Sequence, residues 1–296
     1  MSFDNCTRIS PACPIEETTY GYYPSLAGNA LLASVFGLCA VAQVLLGIRC
    51  RHISYSTPVF LGCVGEVIGY IGRVMLHNNP WSSGAMLMNI LLLILSPSFF
   101  AAALYLTLKH TIEFYGPAWS MLKPKTYPRL FITCDIIGFI TQLIGGVLTG
   151  ADSKSTVDIG NAVMIAGIAF QAGIMALAGL LAVAFVVRRA RHMYGSFAKP
   201  SSPKEEKRAL YLLCMTAAYI FILIRCIYRI PEMGGGWGNS MMQNEVEFMV
   251  LEGAMVASGA ILLCAGHPGL YAAAFTEDKA STGFEMSQRL EGDDQA

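Results

Sequence analysis

The stretch GCVGEVIGYIGRVML, residues 62–76, decides how the rest of the chain is interpreted. It is apolar enough for the interior of a membrane, yet it contains an acid, Glu66, and a base, Arg73. Its four glycines recur at spacings of three and four residues, which places them along one side of a helix and favours close helix packing. The stretch therefore predicts a membrane helix whose charged groups turn away from lipid.

The composition of the whole chain is typical of a membrane protein. Of its 296 residues, 54% are hydrophobic and 14% are charged, whereas soluble domains carry about 25% charged residues. About 20 apolar residues cross a bilayer as a helix, the structure that satisfies every backbone amide within the segment. We therefore predict an all-α, polytopic membrane protein, a seven-transmembrane helix bundle. The predicted spans are Leu26–Ile48, Pro58–Leu76, Ala85–Leu108, Arg129–Thr149, Ile159–Val187, Ala209–Tyr228 and Val246–Gly266.

The basic residues predict the orientation of the bundle. Fifteen of the twenty lysines and arginines fall in the first, third and fifth connections and in the C-terminal tail. Because cytosolic connections are rich in Lys and Arg, the N-terminus is expected outside and the C-terminus in the cytosol. This predicts an extracellular tail at 1–25, a membrane domain at 26–268 and a disordered cytosolic tail at 269–296. The basic connection at 188–208 is a candidate contact for cytosolic regulators, and nothing indicates an oligomeric state.

The predicted extracellular tail contains two candidate modifications. Asn5 begins the sequence Asn-Cys-Thr, which is a glycosylation acceptor in a secreted segment. Cys6 and Cys13 are the two cysteines in polar surroundings. In an oxidising compartment they either form a disulfide or remain two separate thiols, and the sequence leaves both alternatives open.

Charged residues inside the predicted spans or at their outer ends form two groups. In the first group, Arg73, Arg225 and Glu252 lie in the outer half of their spans, counted at about 1.5 Å per residue, and Arg229 and Glu245 lie at the outer rim. These depths predict an ion-paired cluster of the second, sixth and seventh helices. The expected role of this cluster is to fix helix register. Its members are Arg73, Arg225, Arg229, Glu245 and Glu252.

The second group has no cation at its own depth. Glu66 lies near the middle of its span and Asp135 in the inner half of another. An unpaired acid in a membrane usually marks a ligand or proton pathway, and a structural role is the alternative. Gln142 and Gln171 are polar companions in the fourth and fifth spans.

Several kinds of chemistry have no motif in the sequence. It contains neither a Walker loop nor a G-x-S-x-G nucleophile elbow. The five histidines are scattered over span ends and connections, which does not fit a converging metal site. We therefore expect no enzyme, no metal and no cofactor. Pro97 removes a backbone hydrogen bond within the third span, and the resulting kink either opens a cavity toward lipid or serves packing alone.

Seven segments, in this order, carry a family resemblance. They are YGYYPSLAGNALLASVFGL, GEVIGYIGR, SPSFFAAALYLTL, FITCDIIGFITQLIGGV, GNAVMIAGIAFQ, IRCIYRIPEMGGG and NEVEFMVLEGAM. Together they resemble the fungal lipid-translocating exporter family, the RTA-like proteins, over residues 20–268. The motif positions matched are Glu66, Tyr70, Arg73, Asp135, Gln142, Gln171, Arg225, Tyr228, Arg229, Glu232 and Glu245. Glu252 stands where relatives often have Asp, so the acid is retained.

The resemblance implies a function for this chain. It implies a membrane protein that moves amphiphilic lipids, sphingoid long-chain bases or related toxic amphiphiles, and confers resistance to them. The alternative is a seven-helix receptor or sensor of lipid stress without transport activity. The substrate pathway that we expect contains Glu66, Tyr70, Asp135, Gln142 and Gln171, with membrane lipids as the partners. The plasma membrane is the expected location, with vacuolar or other endomembranes as the alternative.

Overall fold

Eight helices longer than one turn, with a short 3-10 turn at Pro117–Trp119, form most of the described part of the protein in a computed structural model. The described residues are 13–15, 18, 20–150, 153–192, 203–235 and 238–276. The helices are α1 (Leu26–Cys50), α2 (Ile53–Asn78), α3 (Ser83–Tyr115), α4 (Thr126–Leu148), α5 (Lys154–His192), α6 (Pro203–Gly234), α7 (Glu245–Ala265) and α8 (Pro268–Thr276). The first seven are long and apolar enough to cross a membrane. The predicted all-helical fold with seven spans is confirmed.

The C-terminal boundary predicted from the sequence is wrong. Residues 269–276 were expected to belong to a disordered tail, but they form most of α8. Tyr271 and Phe275 of this helix lie against Tyr211 of α6, with ring centroids 5.4 Å apart in both pairs. These apolar side chains give the short helix a face to bury, which a count of charged residues in the tail does not reveal.

Glycines set the contact between α2 and α3. A methyl group at Gly72 would lie 3.0 Å from the carbonyl oxygen of Ala85, and one at Gly62 would lie 2.6 Å from the ring of Phe100. The predicted close packing of the α2 glycines is thus confirmed, and their partner is α3. A similar contact joins α4 and α5, where a methyl group at Gly145 would lie 2.6 Å from the backbone nitrogen of Met164.

The outer surface of the bundle is apolar. Leu38 of α1 and Val147 of α4 are both 72% exposed, and they belong to a large set of exposed aliphatic side chains on the long helices. Polar and charged side chains are buried inside instead, as Glu66 and Arg73 are. This reversal of the soluble pattern suits a protein surrounded by lipid. We call the end that carries the first, third and fifth connections the basic end.

Candidate functional site

An unbroken chain of ion pairs joins α6 to α7. Arg225 donates to Glu252 Oε1 from Nε at 3.1 Å and from Nη2 at 2.5 Å. Arg229 Nε lies 3.1 Å from Glu252 Oε2, and Arg229 Nη1 donates to Glu232 Oε2 at 2.8 Å. All four side chains are buried. Two positive and two negative charges therefore compensate one another, which buried ions require.

Irregular helical geometry supports this chain of ion pairs. Pro97 has no N–H, so the carbonyl of Leu93, four residues earlier in α3, lacks its helical donor. Arg225 Nη2 donates to that carbonyl. Glu252 itself lies in a π-helical segment of α7, Phe248–Ala254, a geometry that is frequent at functional sites. Pro97 therefore leaves a polar acceptor inside the bundle, and the sequence does not predict that Arg225 would bind it.

Arg73 is held by hydrogen bonds and rings rather than by a carboxylate. Its Nε donates to Asn29 Oδ1 at 3.1 Å, and its Nη2 donates to the Tyr22 hydroxyl at 2.7 Å. Its guanidinium carbon lies 3.7 Å from the ring centroid of Phe248 and 5.1 Å from that of Tyr20. Guanidinium groups bind well over aromatic faces when they are desolvated.

Fewer residues of the predicted cluster form ion pairs than the sequence predicts. Arg225, Arg229 and Glu252 are ion-paired as predicted, and Glu232 joins them. Arg73 has the partners given above, and Glu245 accepts a hydrogen bond from the backbone nitrogen of Ser25 at 2.6 Å. Glu232 lies three residues after Arg229, and this spacing was the signal in the sequence for its pairing.

Glu66 and Tyr70 form a buried polar pair on α2 without hydrogen-bond partners. Both side chains are completely buried. Neither carboxylate oxygen of Glu66 nor the hydroxyl of Tyr70 has a hydrogen-bond partner among the described residues. Arg225, Arg229 and Glu252 interact with Glu66 electrostatically, and neither arginine lies within ion-pair distance of it. A buried polar group without a hydrogen bond costs free energy, so its presence here points to a function.

Asp135 is the second buried acid without a hydrogen-bond partner. It lies on α4, is 4% exposed, and neither of its oxygens has a partner among the residues that the structure describes. The hydroxyl of Tyr105 in α3 faces it but does not form a hydrogen bond with good geometry. Counted from the basic end, Asp135 comes after fewer residues of α4 than Glu66 does of α2. The two acids therefore lie at different depths, as the sequence predicts.

The two predicted glutamines form a hydrogen-bonded bridge across three helices. Gln142 Nε2 of α4 donates to Gln171 Oε1 of α5 at 2.7 Å. Gln171 Nε2 in turn donates to Ser98 Oγ of α3 at 2.6 Å. Asp135, Gln142 and Gln171 thus share the region between α3, α4 and α5. Glu66 and Tyr70 lie instead on α2, among α1, α6 and α7, so the predicted pathway has two parts.

Cavities open on the surface of the described part of the protein, and two of them lie beside α2. One of about 490 Å³ lies at the basic end between α2, α3, α6 and α8, and it is lined by polar, charged and aromatic side chains. These include His52, Tyr55, His110, Glu113, Phe114 and Tyr211. The other, of about 210 Å³, is a groove between α1 and α2 that Gln43 and Phe60 help to line. Neither cavity is lined by Glu66 or Asp135, and neither was predicted.

The predictions for the N-terminal tail fall largely outside the described residues. Asn5 and Cys6 are not described, so the glycosylation site and the disulfide partner stay predictions. Cys13 is disulfide-bonded. Within the described ranges, no group of three or more His, Cys, Asp or Glu side chains could hold a metal ion.

A family model described as "RTA1 like protein" matches residues 59–274, which contain the two acids and the chain of ion pairs. The chain belongs to the RTA1-like family. Among curated relatives, the sphingoid long-chain base transporter RSB1 of Saccharomyces cerevisiae (strain Lalvin EC1118 / Prise de mousse) is 31% identical over 280 residues, covering 84% of this chain and 73% of that protein.

Two further relatives extend the RTA1-like comparison. The protein named "Probable lipid transporter atnI" of Emericella nidulans is 25% identical over 282 residues, covering 88% of this chain and 73% of its own length. Protein RTM1 of Saccharomyces cerevisiae is 24% identical over 213 residues, covering 71% of this chain and 66% of its own length. No solved structure matches the chain.

Proposed function

We propose that this protein moves amphiphilic lipids with a cationic or zwitterionic headgroup, sphingoid long-chain bases foremost, between the leaflets of a membrane. The observation that carries the proposal is the pair of buried acids, Glu66 and Asp135, whose oxygens have no hydrogen-bond partner among the described residues. The names of the relatives support the same class of cargo, and they favour transport over a lipid-stress sensor. Resistance to toxic amphiphiles follows from their removal.

The physical task is to carry an ammonium group through the centre of a bilayer. A charge at that depth is expensive in lipid alone. A carboxylate inside the bundle compensates the ammonium group, while the hydrocarbon chain remains in the surrounding lipid. Asp135 lies nearer the basic end than Glu66, so the two acids provide successive positions along the path. The bridge formed by Gln142, Gln171 and Ser98 supplies donors and acceptors for hydroxyl groups of the headgroup.

Transport requires the helices to separate, because Glu66 is completely buried and Asp135 is 4% exposed in the described conformation. Prolines interrupt the hydrogen-bond ladder of α2 at Pro58 and of α6 at Pro231. Two further places that lack the regular ladder lie beside the chain of ion pairs. They are the position of Pro97 in α3 and the π-helical segment Phe248–Ala254 in α7. Kinks and π-bulges are where helices bend, so we assign the opening movement to these positions.

We also propose an orientation, a membrane location and cytosolic partners for the protein. We place the basic end in the cytosol by the positive-inside rule, and the protein in the plasma membrane, with endomembranes as the alternative. The cavity at the basic end then receives the headgroup from the inner leaflet. We assign no enzymatic activity to the protein, and we propose that cytosolic regulators contact the basic connection at 188–208.

The test is transport of a labelled sphingoid base by purified protein in lipid vesicles. The double variant Glu66→Gln, Asp135→Asn is expected to lose at least tenfold in rate, a factor of about 1.4 kcal/mol in barrier height. Asp158→Asn is a matched control, since Asp158 is an exposed acid on α5. It removes a carboxylate without touching the interior, and its rate is expected to equal that of the wild type.

The result that overturns the proposal is an equal rate for the wild type and the folded double variant. Retained folding is checked by size-exclusion chromatography and by the thermal unfolding midpoint in detergent. A wild-type protein that binds the base saturably but leaves its distribution between leaflets unchanged would instead support the sensor.

A further inference from the structure

We propose that Glu66 binds either a proton or the ammonium group of the lipid, so that the protein exchanges protons for cationic lipid across the membrane. The inference rests on the proposed function and adds to it the source of driving force. It is carried by the position of Glu66 in the buried charge network. Arg225 and Arg229 bind Glu252 and Glu232, and among the described acids that interact with both arginines Glu66 is the one that neither of them contacts.

Charged and titratable side chains of α2, α6 and α7 surround Glu66. Arg225 and Arg229 face it from α6, and Glu252 faces it from α7. On its own helix, Cys63 and Tyr70 are the titratable neighbours. The charged residues of α1 and α3 lie toward the basic end of those helices and do not contribute.

The two arginines are already compensated. Arg225 and Arg229 share Glu252 between them, and Arg229 also binds Glu232. Arg73 lies seven residues from Glu66, about 10 Å along the helix axis, and its guanidinium is engaged by Asn29 and Tyr22. An ionised Glu66 would therefore be a buried anion without a direct partner, a state that proteins avoid by neutralising the group.

Two neutral arrangements satisfy this site equally. In the first, the carboxyl group holds its own proton. In the second, the carboxylate pairs with the ammonium group of a lipid, and the proton that it held has gone to water on the side away from the arriving lipid. Only the O–H bond of the carboxyl group breaks, one positive charge replaces another, and the interior charge is unchanged. One proton therefore moves against each cationic lipid.

Tyr70 is placed to assist the proton. It lies one helical turn from Glu66, and its buried hydroxyl has no hydrogen-bond partner among the described residues. The hydroxyl interacts electrostatically with Glu66 on one side and with Arg73 on the other. A group that both donates and accepts in this position connects the acid with the end of α2 opposite the basic end. Tyr70 acts through Glu66 and is therefore a positioning residue.

The test uses a lipid that cannot carry a proton itself. Ordinary long-chain amines cross bilayers as neutral molecules and collapse pH gradients without any protein. An N,N,N-trimethyl sphingoid base keeps its positive charge at every pH, so proton movement coupled to it must pass through the protein. Vesicles with purified wild-type protein and a trapped pH-sensitive dye receive the labelled analogue from outside. Protein-free vesicles give the background.

The expected result is a rise of internal pH that accompanies uptake, with one proton leaving for each analogue molecule that enters. An imposed gradient, acidic inside, is expected to accumulate the analogue. Glu66→Gln is expected to lose the proton signal at least tenfold, while Glu66→Asp keeps a carboxyl group and retains it. The aspartate variant keeps the test decisive should the glutamine variant not fold.

Each remaining outcome contradicts one proposal in particular. Uptake of the analogue without proton movement, at a rate independent of the gradient, overturns the exchange and leaves the proposed function standing. Uptake of the primary amine alone also overturns the exchange, because the neutral amine would then be the transported species. If the wild-type protein moves neither lipid, the proposed function itself fails.

Discussion

The buried acids of α7 and α2 have opposite surroundings, although both lie within one bundle. Glu252 of α7 binds two arginines, with Arg225 at 2.5 Å and Arg229 at 3.1 Å. Glu66 of α2 is equally buried and faces the same arginines, but none of the described residues binds its oxygens. The difference separates a charge that holds helices together from one that is available to a ligand. Burial alone does not distinguish the two roles.

The largest effect on stability is expected at Glu252. Glu252→Gln removes the carboxylate that Arg225 and Arg229 share, and it leaves two buried cations with only Glu232 between them. Removing one partner from a buried ion pair typically costs about 3–5 kcal/mol. We therefore expect a strongly lowered unfolding midpoint in detergent, or failure to accumulate folded protein.

A conservative variant serves as the control for Glu252. Glu252→Asp keeps the charge on a shorter side chain, so we expect it to lie between the wild type and Glu252→Gln in unfolding midpoint. If Glu252→Gln unfolds at the same temperature as the wild type, the ion pairs do not stabilise the bundle, and the contrast with Glu66 disappears.

The depth of each charged residue and the spacing along each helix predict much of the difference between Glu252 and Glu66. They placed Arg225 and Glu252 together, and they identified Glu66 as an acid without a partner. They did not predict that Arg73 would be held by rings, because Tyr20 and Tyr22 precede the first span and resemble interfacial anchors. Side-chain direction across helices is a tertiary property that spacing along one helix does not contain.

The irregular parts of the helices could also not be predicted from the sequence. The π-helical turn around Glu252 adds a residue to the turn, and no composition signal marks it. The pairing of Arg225 with the Leu93 carbonyl depends on which helix faces the Pro97 kink. The cavity at the basic end is formed by α8, a helix assigned to a disordered tail by its position near the C-terminus. Each of these features depends on contacts between segments distant in sequence.

A buried histidine at the basic end provides an intermediate case, because its pKa is lowered by burial and it becomes charged only in acid. His267, between α7 and α8, accepts a hydrogen bond at Nδ1 from the Gly269 N–H at 3.1 Å. Its proton therefore resides on Nε2, which donates to Ser56 Oγ at 2.9 Å. Burial, with repulsion from His52 as a smaller cause, lowers the pKa of His267 from 6.5 to about 4. Protonation of Nδ1 would break the bond from Gly269.

The sign of the resulting pH dependence follows from proton binding. Between pH 6.5 and about 4 the unfolded chain holds more protons at His267 than the folded protein does, so stability falls as pH falls through this window. The loss approaches about 3 kcal/mol below the folded pKa, at 1.36 kcal/mol per pKa unit. Unfolding midpoints measured from pH 7 to pH 4 test this expectation.

The control for the histidine is a side chain that does not titrate. His267→Gln is expected to have a lower midpoint at pH 7 but a flatter dependence on pH, because the difference in proton binding is removed. Parallel curves for the variant and the wild type would contradict the assignment, since the acid sensitivity would then arise elsewhere in the bundle.

The smallest effect on stability is expected at Glu66, the residue with the greatest expected effect on transport. Glu66→Gln replaces a carboxyl group with a neutral amide of nearly the same shape, and no hydrogen bond from the described residues is lost. The free energy of unfolding is therefore expected to change by less than about 1 kcal/mol, as for substitutions that remove no interaction. Thermal unfolding in detergent, run beside Glu252→Gln, gives the comparison directly. A loss as large as that of Glu252→Gln would mean that Glu66 is ionised and stabilised by Arg225 and Arg229 across the gap, and both acids would then have the same structural role.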